Sequence, residues 1–384
     1  MQPYPDPVRT DGSNAFAHRS MAERLPGIFD EVLERNPDYS SGVVENVQAL
    51  RDAIVEDAPL GLFDPPAPDY DLWARRCAPH EEESWLGTDW FFAETFAYRH
   101  LLAACRYWTT RRDPFRPYKD EELRSDALRE VVGEALAVEG APRELLGHRL
   151  LNCLWGNRMD LSMKGVLAQG TSAKDEHLLT NHLPTVVDHL MEGPPGPVHF
   201  LMDNAGTEEA FDLVLADLLL DNNLASIVTL HVKMAPVLVS DVLGEDVFWL
   251  LDVMEEYGGS LERLAGRIRG HLRDERLRIV PDFYWNTDAP IRDLPPRLEA
   301  TFQDAQLVVS KGDANYRRIT NDAIWPPEAT LADAAGAFPA PLLALRTLKS
   351  DTLVGVDPET RARLDREEAH WRTKGTYGVA QFAP

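Results

Sequence analysis

The stretch Val198–Leu220, VHFLMDNAGTEEAFDLVLADLLL, decides the fold. Its first five residues are a short apolar run of strand type, and from about Glu208 the apolar residues recur at helical spacing. Between the two stand Asp203, Asn204, Ala205 and Gly206, so an acid and an amide are delivered side by side where a helix begins.

The same rhythm continues downstream. ASIVTLHV (225–232), VLVSD (237–241), LRIVPD (277–282), QLVVS (306–310) and PLLALRTLKS (341–350) read as strands, with helical stretches such as DVFWLLDVMEEYG, PPRLEATFQDA and KGDANYRRIT between them. Alternating strands and helices imply an α/β fold with a parallel sheet covered on both faces. Upstream the pattern is helical. Met21–Asn36, Trp90–Trp108 with Asp89 as N-cap, and Arg124–Ala137 carry apolar residues at helical intervals, separated by Pro-rich loops. The reading is a helical domain over 1–148 and an α/β domain over 149–384.

The chain has 384 residues, 44% of them hydrophobic, enough for a sizeable core and against global disorder. Its net charge of −24 repels nucleic acid and anionic membrane, so neither is expected as a partner. Cys77, Cys105 and Cys153 are odd in number and lack CxxC spacing, which argues for a reducing compartment without disulfide frame or zinc ribbon. No basic region followed by an apolar run opens the chain, and no run approaches ~18 apolar residues, so a cytoplasmic location is expected. The sequence leaves the oligomeric state open.

In parallel sheets of this kind ligands bind outside the carboxyl ends of the strands. Polar residues gather there: Asp203 and Asn204; Ser240 and Asp241; Lys311, Gly312, Asp313, Asn315, Tyr316 and Arg317; Arg346 and Lys349. The oxygens of Asp203, Asn204 and Asp241 are hard ligands suited to Mg²⁺ or Mn²⁺; the alternative is that Asp203 or Asn204 only caps the helix. Lys311, Arg317, Arg346 and Lys349 lie where helix N-termini point, and both features favour phosphate; the alternative is a solvated charged loop. Gly206 and Gly312 permit tight turns and close approach by an anion. Asn157 and Asp160 in WGNRMDLS either face the site or cap a helix. His177, His182 and His189, in a segment read as helical, fit no common metal motif.

MDNAGTEEAFDLVLADLLL, VSDVLGED, SKGDANYRRIT and LRTLK resemble motifs of the damage-control phosphatase family. They are similar in particular to its subfamily with an RTxK motif (here Arg346-Thr347-Leu348-Lys349), also described as protein-glutamate (acidic residue) methyltransferases. WFFAETFAYRHL (90–101) and LLNCLWGNRMDLS (150–162) extend the resemblance over roughly residues 20 to 360. It implies a helical N-terminal region on a three-layer αβα sandwich with a mostly parallel, Rossmann-like sheet. It implies a divalent metal, Mn²⁺ first and Mg²⁺, Co²⁺ or Ni²⁺ as alternatives, on Asp203, Asn204 and Asp241. It implies a phosphorylated substrate on Asp313, Ala314, Asn315, Tyr316, Arg317 and Lys349. In the methyltransferase description Glu208 and Asp241 contact S-adenosylmethionine. Ala314 stands where relatives carry a bulkier apolar residue, and VLVSDVLGED lacks the paired threonines expected after Asp241.

The function expected is a metal-dependent phosphatase acting on a small phosphorylated metabolite of the sugar-phosphate class through a metal-activated water. The alternatives are an S-adenosylmethionine-dependent carboxyl methyltransferase, or a family member repurposed for another reaction on a phosphorylated biosynthetic intermediate. Four cations and an acid-bearing strand–helix turn suit a sulfonium cofactor less well than a phosphate.

Overall fold

Seven strands form one sheet: β1 (Leu178–Asn181), β2 (Gly196–Leu201), β3 (Ala225–Lys233), β4 (Leu277–Asp282), β5 (Leu307–Lys311), β6 (Leu342–Thr347) and β7 (Gly378–Ala383), in the order β1-β7-β6-β5-β2-β3-β4. The computed structural model describes residues 3–64, 67–156 and 177–384. Strands β6, β5, β2, β3 and β4 are parallel; β7 is antiparallel to β6, and β1 is parallel to β7. The central strands β5 and β6 are buried along their whole length, as apolar runs covered on both faces must be.

Side chains alternate between two cores. Val198 and Phe200 of β2, Leu307 and Val309 of β5, and Leu343 and Leu345 of β6 enter one apolar cluster. Leu201, Val308, Leu342 and Ala344 enter the other. Helix Thr207–Asp221 lies in the first cluster and is buried on nearly every side, so its sequence is largely apolar and its buried acids Glu208, Asp212 and Asp217 each meet a cation. Helix Gly312–Thr320 lies in the second with Tyr316 and Ile319. The result is the three-layer αβα sandwich. Helices Asp126–Ala137 and Pro142–Trp155 also put their apolar faces into the first cluster, through Leu128, Val132, Leu146 and Leu150, so the last helices before residue 156 pack with the sheet.

The remaining helical region has its own core, from Val8 to Phe115, around helix Trp90–Ala104. That core also takes in Val237, Leu238 and Val239. The stretch 237–241, expected to be a strand, is therefore a turn: its apolar residues anchor the helical region instead of pairing in the sheet. Leu238 and Val239 adopt φ of 51° and 71°, a conformation a β-branched residue enters only when its surroundings dictate it. Residues 178–181, expected to be helical, form β1, and β7 had no counterpart among the expected strands. Asp89 occupies the N-cap of helix Trp90–Ala104 but its side chain bonds to Arg9. All three cysteines are free and buried. Among the described residues no helix is long and apolar enough to cross a membrane.

Candidate active site

Chain order runs from β2 outward to β3 and β4, then returns to β5 and β6 on the other side of β2. The direction reverses between β2 and β5, and such a switch point leaves a crevice at the carboxyl ends. Asp203-Asn204 follows β2 and Gly312-Asp313 follows β5, so the two loops flank it. The approach is close. Gly312 has φ +77°, and a Cβ placed there would lie 1.8 Å from Asp203 Oδ2. Gly206 has φ +87°, and its Cβ would lie 2.3 Å from Glu122 Cγ.

The loop after β3 closes on the loop after β2. Asn204 and Asp241 form an antiparallel bridge: Ala205 N donates to Ser240 O (2.7 Å) and Val242 N to Asp203 O (2.8 Å). Asn204 Nδ2 donates to Asp203 Oδ2 (2.7 Å) and Glu208 Oε2 (3.0 Å), while Ser240 Oγ donates to Asn204 Oδ1 (2.7 Å). The amide orientation is thereby fixed from both ends. Lys233, at the end of β3, donates to Met202 O (2.6 Å) and stands 3.0 Å from Asp241 Oδ2. Apart from that ion pair, Asp241 Oδ2 is buried without a hydrogen-bond partner among the described residues.

Burial pushes the Asp203 carboxyl well above the ordinary carboxylate range, and the nearby charges of Glu208 and Asp241 push it further, against the pull of Lys233 and Lys349. Burial likewise raises Asp241, with Lys233 opposing. Two buried carboxylates that repel each other, with hard oxygens and an adjacent amide carbonyl, fit a divalent hard cation. A second acidic group, Asp217, Asp221 and His271, has atoms close enough to share an ion. It sits at the far end of helix Thr207–Asp221, and Arg267 already bonds both Asp217 oxygens. The helix separates the two groups by about 20 Å along its axis.

The four expected cations fare differently. Lys311 is fully buried and does not line the crevice; its Nζ is held 3.0 Å from Glu208 Oε1 and 2.8 Å from Asp212 Oδ1. Glu208 is itself buried between Lys311 and Asn204. Arg346 is also fully buried, donating to Asp313 Oδ1 (2.7 Å), Ser350 O and Oγ, and Thr352 O, so it braces the loop that carries Lys349. Arg317 does line the crevice, but Asp322 takes it in a two-pronged pair (2.8 Å each) and Glu94 takes a third donor (2.5 Å). Lys349 lines the crevice, is exposed, and has no carboxylate partner among the described residues. Asn315 and Tyr316 face away: Asn315 donates to Leu201 O, Met202 O and Lys311 O, and Tyr316 bonds to Gln381. Asp313 and Ala314 line the crevice, and Asp313 accepts from Lys349 N (3.1 Å), fixing that loop against the start of helix Gly312–Thr320. Arg346 and Arg317 hold the Asp313 carboxyl below the usual range despite its burial. Asn157 and Asp160 lie outside the described residues.

The crevice has a volume of about 460 Å³. Its second wall comes from the helical region, with Phe16, Arg24, Trp90, Glu94 and Tyr98 facing Asp203 and Lys349. Sequence reasoning missed this wall, and it missed Lys233. A lysine ending the apolar run ASIVTLHVK was the available signal for the latter. For Arg24 and Glu94 the local sequence holds none beyond the likeness of the block at 90–101.

A family model described as "Damage-control phosphatase ARMT1-like domain" matches residues 20–364. The curated relatives include the protein named damage-control phosphatase ARMT1 of Mus musculus, 27% identical, with 98% of this chain and 97% of the relative covered. The protein of the same name from Danio rerio is 27% identical (99% and 97%), and that from Homo sapiens 24% (96% of each). Among solved structures, a DUF89 family protein from Pyrococcus horikoshii superposes with a TM-score of 0.52 at 14% identity, covering 96% of this chain and 98% of that one, a likeness of fold. With the match spanning the helical wall, the switch-point loops and the RTxK stretch alike, the chain belongs to the damage-control phosphatase ARMT1-like family.

Proposed function

We propose that this chain hydrolyses the phosphate ester of a small metabolite of the sugar-phosphate class, with water as the nucleophile. Family membership supports a metal-dependent phosphatase in general. The observation that carries the finer reading is the buried, mutually repelling pair Asp203 and Asp241 at the mouth of the sheet, facing Lys349, a crevice cation without a carboxylate partner among the described residues. Asp203, Asn204 and Asp241 would hold the metal. When bound, a divalent ion, Mn²⁺ being the one expected, neutralises phosphoryl charge and lowers the pKa of a water.

The chain's own groups do the rest. Lys349 and the free N–H groups opening helix Gly312–Thr320 offer donors to the non-bridging oxygens as charge builds on them. Asp313 and Arg346 hold Lys349 in place for that task. Water is the better nucleophile than Asp203, because Asp203 Oδ2 accepts from Asn204 (2.7 Å) and a carboxylate that holds a metal attacks phosphorus weakly. A phosphate-release assay over hexose monophosphates, run in chelator and then with Mn²⁺ restored, tests the proposal. Release that stops in chelator and returns with the metal is expected; release indifferent to chelation contradicts it, as does methyl transfer from S-adenosylmethionine in chelator.

A further inference from the structure

Arg24 stands at the end of a π-helical turn, Ser20–Arg24, that interrupts the first long helix of the chain. Such turns are rare and recur at functional sites because they redirect one side chain. Here the redirected side chain reaches the crevice, where it is 51% exposed. It does not hang free. Nε donates to Ser20 Oγ (3.0 Å), and one terminal nitrogen bonds to Glu94. Glu94 is itself buried and bonds Arg317 with its other oxygen, so the guanidinium is tied to the helix that begins beside Asp203. A guanidinium carries five N–H donors, and this pinning leaves the other three without a protein acceptor among the described residues.

The charge at this corner is balanced. Arg24 and Arg317 share Glu94 and Asp322, two cations against two carboxylates. A second anionic group on the ligand therefore finds no surplus charge here, whereas hydroxyl oxygens find fixed donors. We infer that Arg24 is a specificity-determining residue of the crevice, hydrogen-bonding the hydroxyls of the non-reacting part of the substrate while the phosphoryl group sits at Lys349 and the Asp203–Asp241 pair. The inference rests on the phosphatase reading above. The helical region thus supplies recognition and the sheet supplies chemistry, and ordering the donors in advance lowers the entropic cost of binding.

The test compares two esters, a hexose monophosphate and p-nitrophenyl phosphate, whose leaving group carries no hydroxyls. In Arg24→Ala the ratio of kcat/KM for the hexose ester to that for the aryl ester falls about tenfold, the effect of one to two lost hydrogen bonds, and it falls mainly through KM. Arg24→Lys, which keeps a donor and can still reach Glu94, falls between. If the wild type hydrolyses both esters and the variants leave the ratio unchanged, the role of Arg24 is overturned while the phosphatase reading stands. If the wild type hydrolyses neither ester with Mn²⁺ present, both are overturned.

Discussion

Gly312→Ala probes the candidate active site with one methyl group. The added Cβ would lie 1.8 Å from Asp203 Oδ2, 2.1 Å from Cγ and 2.6 Å from Oδ1. Contacts under 3.0 Å do not persist, so the carboxylate must retreat by more than about 1 Å. It has nowhere easy to go: Asp203 is 5% exposed and its Oδ2 is bonded to Asn204. Metal–oxygen distances tolerate only about ±0.2 Å, so a displacement of this size should weaken metal activation by roughly 100-fold. The φ of +77° adds about 1–2 kcal/mol of backbone strain. Gly206→Ala serves as control. It carries similar strain at φ +87°, but its Cβ meets the side chain of Glu122, whose displacement costs the bonds from Thr207 N and Oγ1 and leaves Asp203 in place. Phosphate release measured against Mn²⁺ concentration, together with urea unfolding, separates the effects. Both variants should lose stability, and only Gly312→Ala should lose metal activation. A Gly312→Ala enzyme with the wild-type Mn²⁺ dependence would refute the packing of Asp203 described here.

Lys349→Ala should raise KM for the phosphate ester about tenfold, with stability within about 0.5 kcal/mol of wild type, because its ammonium is exposed and has no carboxylate partner among the described residues; unfolding curves and initial rates check both halves. Lys311→Met should do the reverse, destabilising by roughly 3–5 kcal/mol as Glu208 and Asp212 lose their shared partner, and denaturant titration reads it directly. His199 and His231, paired at 3.0 Å inside the sheet, are driven down by burial to about 4 and about 3. Both stay neutral in the fold while the unfolded chain takes up protons below about pH 6.5, so stability falls as pH drops from there toward 4, by up to about 1.4 kcal/mol per unit per histidine. Replacing His231 with Leu should flatten that slope; an unchanged slope would place the acid sensitivity elsewhere.

The sheet was legible because strands covered on both faces are mostly apolar, and the runs Val198–Met202, Ile227–Val232, Leu307–Val309 and Leu342–Leu345 are, with His199, Thr229 and His231 as exceptions. The turn at 237–241 was not, since Val237, Leu238 and Val239 are apolar for a different reason, the core of the helical region. Asp203, Asn204 and Asp241 announced themselves as polar residues next to apolar runs. The state of the cations was invisible from sequence. Lys311 and Lys349 look alike in the chain, yet Lys311 meets two carboxylates one helical turn apart, on a helix some hundred residues earlier, and Lys349 meets none among the described residues. Only tertiary pairing tells a buried counter-ion from a cation left open to a ligand.

The proposed divalent metal binds where the loops after β2 and β3 meet. Anomalous diffraction from a crystal soaked in Mn²⁺ and inorganic phosphate locates the ion without any assumption about substrate. The peak is expected among Asp203, Asn204 and Asp241, with the phosphate beside Lys349. A peak only at Asp217, Asp221 and His271, or phosphate seated away from Lys349 with the switch-point loops empty, would contradict it.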